Sequence, residues 1–403
     1  MADADENLED QIDGENNENA NNEENPQDEQ PKEPQNPLKP ELIKKSLKKL
    51  SKTYNGLSYA YIELDLREKE LDDMCEDVSK HRHLRDINIS TNKFTHINPL
   101  SNMTYMVRLD ASKNEIKDIN IFIEENKFEF LQLLIINENK IKELPNLKLP
   151  SLLSLNLEAN LIENCSNFKG LPSVNSLKLN NNKLKSFEGL ANMPNLDVLY
   201  VNENSIKSFH GLENLNKLRK LRMKGNKLEK IEYLPDLPNI QKLNISSNLI
   251  KDVKQFSNLK FKTLKKIIVD GNPYFDEANA GAKVEILLQL EGYDIKFVNK
   301  EEILQEDRDQ AKTVKEERIL KEKEEAEERE RIRKQEEQER LEKEEEDRKL
   351  REQEEAERKQ REEEEKAELE RQRIEMDQKE KDPEAQEGQI NEENENNQEE
   401  EFN

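Results

Sequence analysis

Nine asparagines pose the first chemical question. Asn92, Asn114, Asn139, Asn160, Asn182, Asn204, Asn226, Asn248 and Asn272 follow one another at intervals of 22, 25, 21, 22, 22, 22, 22 and 24 residues. An amide side chain both donates and accepts hydrogen bonds. Repeated at one interval, it can satisfy the same backbone groups in successive turns of chain. A buried backbone group left unpaired costs about 1–3 kcal/mol, so this is structural chemistry. Residue types suited to catalysis lack the spacing for it. His81 and His83 stand one residue apart, but no Cys or third His lies at ligand distance in sequence. Of ten glycines, no two are one residue apart, which excludes a dinucleotide or phosphate loop. Ser and Thr occur without a nucleophile elbow. The stretch "DQIDGENNENAN" misses the acidic spacing of a calcium loop. The expectation is no enzyme, with no catalytic, cofactor or metal residues.

Each asparagine belongs to a longer frame. The first copy is Leu84-x-x-Ile87-x-Ile89-x-x-Asn92-x-Phe94, and "LRKLRMKGNKL" and "IQKLNISSNLI" repeat it. Apolar residues two apart point to one face of a strand. The amide falls where the chain bends out of that strand. The downstream half of each turn has apolar residues every third position, as in Leu184, Phe187, Leu190, Met193 and Leu196. That rhythm suits short 3₁₀ or helical turns. One such turn cannot bury its own apolar face, so the frame must recur. The period and pattern are those of leucine-rich repeats, and they resemble the 22-residue, phosphatase-regulator type. The expected fold is an α/β leucine-rich-repeat solenoid of about nine turns plus caps, followed by a long charged α-helix, with disordered acidic termini.

Charge divides the chain in the same way. Residues 1–38 carry one basic and 13 acidic groups, a net of −12. Residues 39–300 carry 41 basic and 34 acidic groups, a net of +7, and residues 301–403 carry 23 and 43, a net of −20. Residues 1–37 are too polar to offset ordering entropy and read as a disordered acidic tail. Residues 38–83 read as an N-terminal cap. Its helix places Leu42, Ile43, Leu47 and Leu50 on one face, and a degenerate opening repeat follows with Lys69 at the asparagine position. The repeats occupy 84–272. Residues 273–300 form a C-terminal cap, with Val284, Leu287, Leu288 and Leu290 as its apolar helical face. Residues 301–382 are rich in Glu, Arg and Lys and hold no heptad, so they read as a single helix or, in the other reading, a coiled coil. Their Glu-to-base pairs four apart include Glu325–Arg329, Glu330–Lys334, Glu336–Arg340, Glu344–Arg348, Glu345–Lys349 and Glu354–Arg358. Residues 383–403 read as a second disordered acidic tail.

Two cysteines, Cys75 and Cys165, without a C-x-x-C pair fit a reduced compartment. No secretory signal or membrane-spanning run stands in the sequence, so the sequons at Asn88, Asn102, Asn164 and Asn244 are expected to stay unmodified. The small basic excess between acidic flanks argues against nucleic acid. Membrane and small-molecule partners are likewise not expected. What remains is the concave face, where solenoids commonly bind proteins. Outward positions there place Leu133, Ile135, Val198 and Tyr200 at apolar spots. A basic field forms on the last three turns from Arg219, Lys220, Arg222, Lys224, Lys242, Lys265 and Lys266. These eleven residues are the candidate partner-binding set.

The segment "GLSYAYIELDLREKELDD", with "LRDINISTNKFTHINPL" and "LDASKN" after it, resembles the leucine-rich repeat-containing protein 23 family. The resemblance covers roughly residues 40–310. It implies a non-enzymatic structural subunit of the ciliary or flagellar axoneme, at a radial-spoke head, whose partners are other radial-spoke or axonemal proteins. It brings no catalytic residues. The long Glu/Arg-rich tail departs from the family. A phosphatase-regulator-type adaptor in cytosol or nucleus is the alternative that the repeat subtype alone suggests.

Overall fold

The computed structural model describes residues 33–274 and 282–379. The expected acidic tails therefore lie outside the described residues, except for 33–37. The chain divides into two compact units, Met1–Val314 and Lys315–Asn403.

The first unit is built on a sheet of 13 strands that neighbour one another in chain order. A short helix α1 (Pro40–Ser46) leads into β1 (Leu47–Lys52) and β2 (Tyr59–Asp65). Nine three-residue strands follow, β3 (Asp86–Asn88), β4 (Arg108–Asp110), β5 (Leu133–Ile135), β6 (Ser154–Asn156), β7 (Ser176–Lys178), β8 (Val198–Tyr200), β9 (Lys220–Arg222), β10 (Lys242–Asn244) and β11 (Lys266–Ile268). Helix α2 (Ala282–Gln289), β12 (Phe297–Val298) and β13 (Glu301–Glu302) complete the array. Pairing is parallel from β2 to β12 and antiparallel at the two ends.

Each short strand has one pattern, with its middle residue buried and its outer two half-buried. The middle residue and the one two positions on, Leu199 and Val201 in β8 for example, are the inward pair of the frame, and both are fully buried. The chain then turns through a left-handed residue just before each ladder asparagine. Thr91, Lys113, Glu138, Ala159, Asn181, Glu203 and Ser247 have φ between 50 and 56°, and Gly225 and Gly271 stand at 66°. Such a bend takes the backbone out of the sheet and strands its polar groups inside the core.

The asparagine amides satisfy those groups. Asn204 donates through Nδ2 to the carbonyls of Leu179, Val201 and Asn202, at 2.9, 3.1 and 3.0 Å. Its Oδ1 accepts from Leu184 N, at 3.0 Å. One side chain thus ties its own bend to the turn before it, and the pattern runs from Asn92 to Asn272. All nine are buried. The ends use substitutes. Lys69 has no amide, and Asn36 Nδ2 donates to the carbonyls of Lys69 and Glu70 instead. At the far end, Asn299 Oδ1 accepts from Val269 N and Asp270 N.

On the convex side, the apolar residues at every third position are buried as the spacing requires. Extended 3₁₀ stretches occur at Glu76–Lys80, Asn98–Asn102, Asn120–Phe122 and Val253–Asn258. The central turns instead close single i→i+3 bonds, such as Leu190 N to Phe187 O and Leu218 N to Leu215 O. Gly189, at φ +84°, lets successive turns approach closely, because a Cβ there would collide with the Cys165 carbonyl.

The N-terminal cap differs from the helical expectation. Helix α1 stops at Ser46, Leu47 is extended, and Leu50 is 61% exposed in β1. Pairing Leu47 with Leu64 and Leu50 with Tyr61 closes the open edge of β2, which a continued helix would leave unpaired. The C-terminal cap helix does bury an apolar face, formed by Ile286, Leu287 and Leu290 with Val284 and Leu288 partly covered.

Helix α3 (Gln305–Lys379) runs for 75 residues, about 110 Å at 1.5 Å per residue. Its first turns are rooted in the cap, where Ala311 is buried, Lys283 pairs with Asp307 and Arg308 donates to the Ile295 carbonyl. From 315 to 376 it is exposed throughout. Glu325–Arg329, Glu330–Lys334 and Glu345–Lys349 pair as their spacing predicts. Arg340, Arg348 and Arg358 instead reach forward to Glu344, Glu352 and Glu362. Each of these arginines has a Glu four residues away on both sides, and such exposed pairs are nearly equal in energy.

Candidate functional site: the concave sheet face

The outward positions of β3–β11 form one surface in two columns. Register places Lys220, Lys242 and Lys266 side by side in the first column of β9, β10 and β11. It also places Lys178, Tyr200 and Arg222 side by side in the second column of β7, β8 and β9. The Tyr200 ring sits between two cations, with Lys178 Nζ 5.4 Å and Arg222 Cζ 5.3 Å from its centroid. Lys266 Nζ lies 5.7 Å from the centre of Phe297 on β12. Neighbouring strands are about 4.8 Å apart, so these are direct neighbours.

The seven-residue basic field therefore separates into parts. Lys220, Arg222, Lys242 and Lys266 stand on strands. Arg219 and Lys265 precede their strands by one residue, and Lys224 follows by two. Arg219 forms a two-pronged pair with Asp197 one turn earlier, and that carboxylate raises its pKa. The backbone N–H of Lys224 donates to Asn202 Oδ1. The apolar spots also separate. Leu133 and Ile135 lie on β5, while Val198 and Tyr200 lie on β8, with polar residues of β6 and β7 between them. All four are half-buried.

The opposite end of the face is balanced in charge. The Arg67 guanidinium, with Lys48 beside it, holds the Asp65 carboxyl far below the ordinary range. Glu63 pairs with Lys49, and Asp110 with Arg108.

No arrangement for group transfer emerges among the described residues. No three His, Cys, Asp or Glu side chains there come together to hold a metal. His83 stacks on Tyr105 at 5.4 Å, while burial lowers the pKa of His81. Cys165 is buried, and desolvation pushes its thiol up to about 12, which removes it as a nucleophile. No described helix is long and apolar enough to cross a membrane.

Sequence reasoning passed over one surface feature. Tyr54, from the β1–β2 loop, stacks on Tyr105 at 5.5 Å and meets Phe130 at 5.7 Å. His83, Tyr105 and Phe130 occupy the same position, three residues before β3, β4 and β5. Aligning that column would have shown three consecutive rings. Nothing in the repeat frame could have brought Tyr54 to them.

These features define a leucine-rich repeat solenoid, a repeat-built protein-interaction fold. No family model matches the chain. Over 122 residues it is 32% identical to human leucine-rich repeat-containing protein 23, a stretch that is 30% of this chain and 34% of that protein. The bovine protein of the same name is 30% identical over 122 residues, with the same coverage. The chain is similar to leucine-rich repeat-containing protein 23. The match spans about a third of the length of those curated relatives. Among solved structures, an internalin from Listeria monocytogenes is 21% identical, with 59% of this chain and 80% of that one covered and a TM-score of 0.36. YopM from Yersinia enterocolitica is 22% identical, with coverages of 53% and 47% and a TM-score of 0.40.

Proposed function

We propose that this chain is a non-enzymatic scaffold subunit of the ciliary or flagellar axoneme, at a radial spoke, needed for motility. It binds partner proteins through the concave repeat face. The observation that carries the binding half is the Lys178–Tyr200–Arg222 stack. It presents an aromatic ring and a guanidinium together on the face, and these side-chain types most often dominate protein interfaces. The axonemal half rests on the local similarity to leucine-rich repeat-containing protein 23 and on the sequence resemblance to that family. Tagging the protein in ciliated cells tests the location. Signal along the axoneme, retained after a salt wash, is the expected result. Nuclear or diffuse signal would refute the axonemal half and favour the adaptor alternative.

A further inference from the structure

Exposed apolar side chains cluster in the β1–β2 hairpin. Leu50, Tyr54, Leu57, Tyr59 and Tyr61 are all exposed there, Leu57 by 86%. Strand pairing sets Leu50 against Tyr61 and Lys52 against Tyr59. The same stretch is strongly basic. Residues 42–62 hold five lysines and no acid. Lys48 and Lys49 are answered by Asp65 and Glu63 on β2. Lys44, Lys45 and Lys52 are exposed and carry no ion pair among the described residues. A patch that joins exposed apolar groups to unanswered charge marks an interaction site.

We propose that residues 1–32 of this same chain occupy the hairpin and shield its lysines from other polyanions. Charge selects the occupant. Those residues hold 12 acidic groups and one basic, a net of −11. Leu8 and Ile12 supply aliphatic partners for Leu50 and Leu57. Position agrees with charge. The chain is fixed just after residue 32, where Gln35 N and Asn36 N donate to the Asp72 carboxylate at 2.6 and 3.0 Å. Leu38 N donates to the Asp73 carbonyl. From Gln35 to Lys45 the path is five residues and one short helix, at most about 25 Å. Lys52 lies one six-residue strand further on. About 32 residues of polar chain span roughly 30 Å root-mean-square. A linked segment whose span matches its target acts at a millimolar effective concentration, an advantage no separate acidic protein shares. Other occupants fit less well. A second copy of the hairpin would set lysine against lysine. In α3, acids such as Glu330 and Glu345 are already paired with lysines four residues on, whereas residues 1–32 have Lys32 alone.

The test uses the full chain. An equal mixture of isotope-labelled and unlabelled protein is treated with a carbodiimide, which joins a carboxylate to an amine in direct contact. Amide links from Lys44, Lys45 or Lys52 to acids of residues 1–32 are expected within chains of one label. They should be about fivefold fewer in 0.5 M salt. The quadruple variant Glu23→Gln, Glu24→Gln, Asp28→Asn, Glu29→Gln should bind poly-L-glutamate about fivefold more tightly than the parent. Adding Lys44→Gln, Lys45→Gln and Lys52→Gln should erase that gain. Four changes at the other end, Glu392→Gln, Glu393→Gln, Glu395→Gln and Glu399→Gln, should give no gain, which separates a local contact from net charge. Absence of the links, links mainly between labels, or equal gains from the two quadruple variants would overturn the proposal. So would poly-L-glutamate binding that ignores the first quadruple variant.

Discussion

Arg222 lays its guanidinium over the ring of Tyr200, 5.3 Å from the centroid, from the directly paired position of the next strand. Neither side chain enters the core. The double change Tyr200→Ala with Arg222→Glu should therefore leave cooperative melting nearly unchanged. It should cost about 2 kcal/mol or more in partner affinity if the two are anchors. Salt-washed axonemes from cells carrying the variant should retain less of it, and those cells should swim poorly. Full retention of a correctly folded variant would mean that attachment lies elsewhere on the chain.

Asn182→Ala or Asn204→Ala should destabilise the repeats by about 1–3 kcal/mol. Each substitution strips the acceptor from Ile162 N or Leu184 N in the preceding turn and removes one of the two amide donors to Leu157 O or Leu179 O. Denaturant midpoints of the full chain report this. Midpoints equal to the parent's would contradict the ladder geometry.

Gly189→Ala should cost more, on the order of 3–4 kcal/mol, since positive-φ strain and overpacking act together. The added methyl meets backbone of the preceding turn, which cannot swing aside. Gly56→Ala is the control. Its φ is +72° and nothing lies within 4 Å of the added carbon, so strain alone, about 1–2 kcal/mol, should register. Equal losses at the two sites would remove close packing as the cause.

Asp65 should make the N-terminal hairpin sensitive to acid. Arg67 and Lys48 lower its folded pKa, so its contribution is present above the unfolded carboxylate pKa and is lost as pH falls toward and through the folded value. The contribution is at most about 1 kcal/mol, because both bases remain half-exposed and screened. Melting of Asp65→Asn and the parent should differ at pH 7 and converge in acid. A gap that widens in acid would reverse the sign of the argument.

Residues 305–380, produced alone, should be helical and monomeric. Oppositely charged pairs four apart support an isolated helix by about 0.2–0.5 kcal/mol each, and no heptad seam drives pairing. Circular dichroism and sedimentation decide this. Helicity that rises with concentration, together with a dimer mass, would establish a coiled coil.

The repeat array was readable in the sequence because one constraint recurs nine times. An inward apolar pair and an amide must stand at fixed offsets in every turn, so Leu199, Val201 and Asn204 could be placed from spacing alone. Alternation then placed Tyr200 outward. The caps obey no such repetition. Leu50 satisfies helical spacing, yet pairing with Tyr61 wins because β2 would otherwise present a bare edge. The fate of Arg219 was hidden for a related reason. Its charge is answered by Asp197, 22 residues earlier, and that match becomes visible only when side chains of successive turns are laid beside one another. In the charged helix, composition gave the pairs but not their direction, since Arg348 finds a Glu four residues either way.

The amide ladder also has a mechanical consequence. Its bonds, like those of the parallel sheet, run along the axis on which the turns stack. Tension along that axis loads them end-on and in series, so turns would peel away singly from an end. Tension along the strands loads many of the same bonds sideways and at once. Because each turn contacts only its neighbours, resistance to peeling is set by one interface at a time, whatever the number of turns. Resistance to shear grows with every turn added. The solenoid should therefore be a weak link when pulled by its ends and a strong one when gripped across its face.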